Sequence, residues 1–337
     1  MLGSGITRQN AFVRFWLFLL SSLAFAVVHD IAFALESSWK ADSWDERKML
    51  PNDTRPPDRR EPSMLLPPLE EHMVGTIRRV SIDSEEKIVA LTFDMCELAT
   101  VTTGCDMDIL NYLREEKIPA TLFMGGKWMR THARRVLQIM NEPLFEIGNH
   151  AWTHGNCALL SSSGLRAQVL WTQAQYELLR EETLRQAEMR GMPVPDIAPV
   201  PTLFRLPYGR CTPAALNTLS SLGMRVVLWD VVAEVGDSSR PIQAKKSARR
   251  VVDQVRQGSI LLFHANRVPR GTAQLLREVV ALLQAQGYRF TTVSTLLRMG
   301  TPVMCMDGYF RHPGDNKQLD GCFGVDGTGL RTPFVGD

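Results

Sequence analysis

The 337 residues contain no Gly-x-Gly-x-x-Gly fingerprint and no Walker-type phosphate loop, so nucleotide-dependent chemistry has little support. The six cysteines (96, 105, 157, 211, 305 and 322) include no Cys-x-x-Cys pair, which argues against a structural zinc knuckle. Charge of one sign is missing too: 38 Lys and Arg against 36 Asp and Glu leave a formal charge of +2. No basic stripe with interleaved aromatics is visible, so a nucleic-acid partner is not expected. No internal repeat at a fixed period occurs.

What remains is ordinary globular material, 45% hydrophobic and 22% charged, long enough for one large α/β domain or two smaller ones. The first 34 residues differ. Arg8 and Arg14 precede an apolar run from Phe15 to Val28, followed by the small-residue patterns Ala24-Phe25-Ala26 and Ala32-Phe33-Ala34. A positive start, an apolar stretch and an A-x-A site are the parts of a secretory signal. The alternative is an uncleaved anchor, since residues 11–28 approach the shortest membrane span of about 17 residues. Either form places the rest of the chain outside the cytoplasm, periplasmic or extracellular, with membrane contact only if the segment is retained. Six cysteines suit that oxidising compartment and predict disulfides.

Residues 35–75 read as a linker, because six prolines between Pro51 and Glu70 alternate with Asp, Arg and Glu. Residues 76–299 read as one domain. Short apolar runs at 87–94, 119–124, 144–149, 203–206, 224–230, 259–264 and 288–293 have the composition of strands buried on both faces. Helical patterns at 106–117, 129–140, 164–190, 213–222, 243–257 and 272–286 separate them. This alternation predicts an α/β fold, a distorted or partly open (β/α) barrel with about seven parallel strands; a doubly wound open sheet is the runner-up. Residues 300–337 form a Gly- and Asp-rich tail expected to need a Cys305–Cys322 bridge for order.

Functional groups of parallel α/β folds collect at the carboxyl ends of strands. Here those ends carry Asp94, Cys96 and Glu97; His150 and His154; Arg205 and Tyr208; Asp230; and His264. If the chain turns helical after Asn149, the four-residue spacing of His150 and His154 puts both imidazoles on one face, as a metal-binding pair requires. Neutral imidazole suits zinc or a similar ion, and a carboxylate would complete the set. The plain reading is two surface or core histidines.

The motifs TFD ending at 94, HAWTH at 150–154, FRLPYG at 204–209, LWD at 228–230 and LLFH at 261–264, in this order, resemble the polysaccharide deacetylase family, the NodB-homology domain. The likeness spans roughly residues 80–297. It implies a distorted seven-stranded (β/α) barrel and a divalent metal, most simply Zn2+. It also implies removal of acetyl groups from an acetylated polysaccharide: N-acetyl from chitin-like oligomers or peptidoglycan, or O-acetyl from xylan. It assigns His150 and His154 to the metal and Asp94 to the general base. Arg205 would orient that base, the Tyr208 backbone N–H would serve the oxyanion, and His264 would be the general acid. Asp230 would lie in the segment that orients the acid, with Asp237 competing.

Met95 departs from the family motif, which has a metal-binding Asp there. A thioether is a poor replacement for carboxylate on zinc. Two rescues are open: Asp94 ligates the metal and Glu97 becomes the base, or Glu97 itself reaches the metal. Cys96 and Cys211 both come directly after site motifs, so a Cys96–Cys211 bridge is expected, leaving Cys105–Cys157 as the second pair. A glycan-binding module on the same scaffold, catalytically impaired by Met95, is the competing function. A hydrolase of the same fold cleaving a non-sugar amide is the third, set back by export.

Overall fold

The computed structural model describes residues 39–41, 45, 52, 53, 55–234, 242–321 and 325. The expected export segment lies outside them. The chain divides into two compact units, Met1–Lys40 and a body, Ala41–Asp337, and every strand and helix among the described residues belongs to the body. Among the described residues no helix is long and apolar enough to cross a membrane.

In chain order the elements are β1 (Thr76–Ser81), β2 (Ile88–Met95), α1 (Met107–Glu115), β3 (Ala120–Met124), α2 (Gly126–Thr131), α3 (Ala133–Met140), β4 (Phe145–Asn149) and α4 (Ser162–Met189). Then come β5 (Leu203–Phe204), α5 (Pro213–Ser221), β6 (Arg225–Val227), β7 (Val231–Val232), α6 (Ala244–Val252) and β8 (Ile260–His264). The chain closes with α7 (Thr272–Ala285), β9 (Arg289–Thr291), α8 (Val293–Arg298) and β10 (Thr301–Cys305). The ten strands of the described residues pair in a single curled sheet in the order β10-β1-β6-β5-β4-β3-β2-β8-β7, with β9 on β2. Every pairing is parallel except β1 with β10. The sheet meets itself where the Val80 N–H donates to the Gly258 carbonyl (2.9 Å), just ahead of β8. This is the expected distorted barrel.

β2 pairs with β3, β8 and β9, and all eight of its residues are buried, which only a strand covered on both faces sustains. Its register fixes the rim. Asp94 stands opposite Phe123 on one side and His264 on the other, while Asn149 pairs with both Met124 and Phe204. The five strand ends therefore finish level, and the polar residues that come after them share one rim.

Local chemistry sets the helix boundaries. The Ser161 and Thr212 side chains accept from the Gly164 and Ala215 N–H groups, and Pro213 sits at the first turn where no donor is needed. The helix expected over 129–140 is broken at His132, whose Nε2 meets the Thr103 carbonyl at 3.0 Å.

The edges differ from expectation. β1 and β10 pair with each other from opposite ends of the chain, and the tail beyond is tied in. Trp229 donates to the Phe310 carbonyl, Arg210 pairs with Asp320 (2.7 Å), and Arg78 donates to the carbonyls of Tyr309 and Phe310. Part of the proline-rich stretch is not a solvated linker either. Arg59 pairs with Glu177 and Glu181, the Ser63 and Met64 N–H groups donate to Glu177, and Leu69 donates to the Ser220 carbonyl. Proline spares that extended segment unmet backbone donors while it lies along α4 and α5.

Candidate active site

Asp94 and Arg205 form the base of the rim. Thr92 and Asp94 alternate onto one face of β2, and Arg205 meets both: Nη1 to Asp94 Oδ1 at 3.2 Å and Nη2 to Thr92 Oγ1 at 2.9 Å. The guanidinium is fully buried, stacked over the Phe123 ring at 4.2 Å and near Trp229 at 5.1 Å. Burial lowers Arg205 to about 10, against the pull of Asp94. Burial likewise raises Asp94 above the usual carboxylate range, while Arg205, His264 and His154 oppose it. A carboxylate so placed is a competent proton acceptor.

His150 and His154 come together, though not by helix periodicity. β4 ends at Asn149, and the next residues make a loop in which Ala151 (φ 63°) and His154 (φ 58°) take left-handed backbone. That loop sets the two rings edge to face, centroids 4.8 Å apart. Left-handed backbone at non-glycine residues costs about 1–3 kcal/mol each and concentrates at functional sites. The His150 Nδ1–H donates to the Arg205 carbonyl (2.9 Å), which leaves the Nε2 lone pair turned inward, 3.5 Å from Asp94 Oδ2. Burial pulls His150 down to about 3 and His154 well below the ordinary imidazole value, so both rings are neutral at pH 7. His150 Nε2 and His154 Nδ1 are buried without a hydrogen-bond partner. Neutral rings with inward lone pairs are what a metal requires. The Cys96 sulfur lies with them: the donor atoms of Cys96, His150 and His154 are all within 4.8 Å of one another.

His264 closes the other side. Its Nδ1–H donates to Glu234 Oε2 at 2.6 Å, and its backbone N–H donates to Glu234 Oε1 at 2.9 Å. Thr272 Oγ1 donates to the same carboxylate at 2.7 Å. Burial would lower the imidazole, but the charge and hydrogen bond of Glu234 outweigh it and the net position is raised. A partly exposed His held protonated is suited to donate a proton.

Tyr208 sits in the Pro207–Gly209 turn with φ 58°, its ring edge-on to His154 at 4.3 Å. Asn316, from the tail, donates to the Tyr208 and Gly209 carbonyls (2.9 and 3.0 Å) and pins that turn.

Two expected residues are elsewhere. Asp230 does not reach His264: it accepts from the Ile260 N–H and Ser259 Oγ (both 2.9 Å), at the opposite end of β8. The carboxylate that meets His264 is Glu234, and Asp237 lies outside the described residues. Glu97 turns away from the imidazoles because its oxygens are taken by the Thr103 N–H (3.0 Å) and Thr131 Oγ1 (2.9 Å), beside Lys127 Nζ at 3.4 Å. It offers neither a base nor a ligand there. Met95 is wholly buried.

The expected bridges are not formed: cysteines 96, 105, 157, 211 and 305 are free. Cys96 faces the imidazoles, Cys105 Sγ lies 3.7 Å from Met107 Sδ, and Cys157 Sγ lies 3.8 Å from the Gly155 carbonyl. Cys322 lies outside the described residues. Trp128 and Trp152 are core residues rather than exposed sugar platforms.

A distorted parallel barrel with an acid–base rim beside a potential metal site is the architecture of metal-using hydrolases. The polysaccharide deacetylase profile matches residues 81–227. The peptidoglycan-N-acetylglucosamine deacetylase of Bacillus cereus is 31% identical over 218 residues, 64% of this chain and 91% of that protein. Among solved structures, a peptidoglycan N-acetylglucosamine deacetylase shares the fold at TM-score 0.54 and 22% identity, covering 68% of this chain and 95% of that one. A CE4 family pseudoenzyme from Bacillus anthracis shares it at TM-score 0.53 and 23% identity, covering 66% and 69%. The chain belongs to the polysaccharide deacetylase family, hydrolases that include enzymes of carbon–nitrogen bonds other than peptide bonds.

Proposed function

We propose that the protein is an exported, metal-dependent deacetylase that removes acetyl groups, N-acetyl foremost, from an envelope or extracellular polysaccharide such as peptidoglycan. The observation that carries this reading is the pair of neutral imidazoles, with buried unpartnered nitrogens, beside the Asp94–Arg205 pair and on the same rim as the His264–Glu234 pair. The apolar N-terminal segment supports export. The Bacillus cereus relative, by its name, acts on peptidoglycan N-acetylglucosamine.

His150 and His154 would hold a divalent ion, with zinc favoured by imidazole donors. Such an ion supplies Lewis acidity to an acetyl carbonyl and lowers the pKa of water. Asp94, raised by burial and aimed by Arg205, takes the proton of the attacking water. The Tyr208 turn borders the place where negative charge develops, and its N–H is the oxyanion donor. His264, kept protonated by Glu234, gives its proton to the departing amine, which is a poor leaving group otherwise.

The test is acetate release from acetylated glucosamine oligomers by the metal-loaded protein. His150→Ala and chelation should each lower it by more than about a thousandfold, the scale of several kcal/mol of Lewis-acid assistance. A folded protein that binds no metal and releases no acetate from any glycan sinks the proposal. Met95 favours a second reading, a glycan-binding module without turnover. Retention on acetylated glycan with no acetate released by metal-loaded protein would select it.

A further inference from the structure

We propose that the Cys96 thiolate is the third protein ligand of this centre, so that two imidazoles and one sulfur stand where the family motif supplies a carboxylate. The proposal rests on the metal-dependent reading above and adds the identity of the missing donor.

Strand parity carries the first part. Thr92 and Asp94 both meet Arg205, so they share the inner face of β2, and Met95 belongs to the opposite one. Position 95 is therefore turned away from the imidazoles, and its fully buried thioether fills the core. Position 96 returns toward the face of Asp94. There its sulfur lies within 4.8 Å of the donor nitrogens of His150 and His154.

The second part is independent of the cysteine. His150 is 1% exposed, and its inward Nε2 has no hydrogen-bond partner, a costly state for a buried polar atom unless a ligand completes it. The surroundings are built for close approach. A Cβ on Gly125 would stand 3.3 Å from the Ala151 carbonyl, a tight approach, and at ordinary contact distance (3.5 and 3.6 Å) from Cys96 Cα and Cβ, so Gly125 lies close to both the histidine loop and Cys96. Asn266 Nδ2 donates to the Cys96 carbonyl at 3.1 Å and lies 3.8 Å from its sulfur, which fixes where the thiol points.

Binding replaces the S–H bond by a sulfur–metal bond and hands one proton to water. Three protein donors leave a fourth position open, the pattern of catalytic rather than structural zinc. A soft sulfur also directs the site to zinc or cobalt and away from magnesium.

Reduced, metal-free full-length protein titrated with Co2+ tests this. One equivalent should bring up a near-ultraviolet thiolate-to-cobalt charge-transfer band, discharged by zinc. Cys96→Ser should abolish the band and weaken zinc binding by more than about 100-fold, beyond the 10–100-fold of an outer-sphere change. Zinc should also protect Cys96, identified by peptide mapping, from alkylation. If Cys96→Ser fails to fold, the wild-type band and that protection decide. Stoichiometric cobalt without the band, or a band that survives in Cys96→Ser, overturns the sulfur ligand while leaving the metal reading intact. Reduced wild type that binds no metal overturns both.

Discussion

Replacing Glu97 by glutamine separates a structural carboxylate from a catalytic one. The Glu97 and Lys127 side chains are wholly buried, with Oε2 and Nζ 3.4 Å apart. Removing one partner of a buried pair typically costs about 3–5 kcal/mol, because the other charge is left without compensation. Lys127 keeps three oxygen acceptors, Asn52 Oδ1 (2.6 Å) and the carbonyls of Leu98 (2.7 Å) and Val101 (3.2 Å), and glutamine keeps the shape of Glu97. The loss should therefore fall near the low end, about 3 kcal/mol, or a Tm lower by roughly 6–12 °C for a body of this size. Lys127→Met strands the carboxylate instead and should cost at least as much. Urea or thermal unfolding reads the stability, and metal content and acetate release at 25 °C are measured on the folded fraction of the same samples. The expected result is a large loss of stability with one equivalent of metal kept and activity within about threefold of wild type. A variant as stable as wild type but without metal, or slowed more than about 100-fold, the scale of a lost acid–base group, would show that Glu97 belongs to the chemistry.

Glu234→Gln removes the group that raises His264 and leaves burial, which lowers it, so the His264 imidazole should titrate at lower pH by NMR and the alkaline limb of kcat/KM should move toward acid. Because His264 is raised, the pair's stabilisation is fully present below 6.5 and lost as pH rises through the higher folded value; a titration that stays or rises refutes the pairing. Asn316→Ala frees the Tyr208 and Gly209 carbonyls and should cost about 1–3 kcal/mol while lowering kcat more than it raises KM, because only the turn shifts. Gly258→Ala should destabilise by more than about 2 kcal/mol in urea unfolding, since its φ is +75° and the added Cβ would fall on the Val80 carbonyl.

Strands buried on both faces were legible as apolar runs, and β2, β3, β4 and β8 lie within a residue or two of the expected limits. β1 was not, because Arg78 and Arg79 interrupt its pattern and its strand character comes from partners far along the chain, β6 and β10. β10 hid in a Gly- and Asp-rich tail for the same reason. Most of the residues that meet at the rim could be read from the strand ends. Glu234 could not be separated from Asp230 and Asp237, since only the path of the chain after β7 decides which carboxylate meets His264. Cys96 did carry a signal, its two-residue parity with Asp94, but its compartment pointed toward pairing instead. Lys127 gave none: a lysine at the start of a helix is ordinary, and only the packing of α2 against the loop after β2 encloses it.

The tie between Asn316 and the Tyr208 turn bears on the order in which a newly made chain becomes competent. The histidines, the base and its arginine are all synthesised before residue 206, and His264 comes later. The stretch that clamps the turn, however, follows all of them in the chain, and β10 must first find β1 more than two hundred residues behind it. A nascent chain thus carries every reacting group well before it can hold them in place.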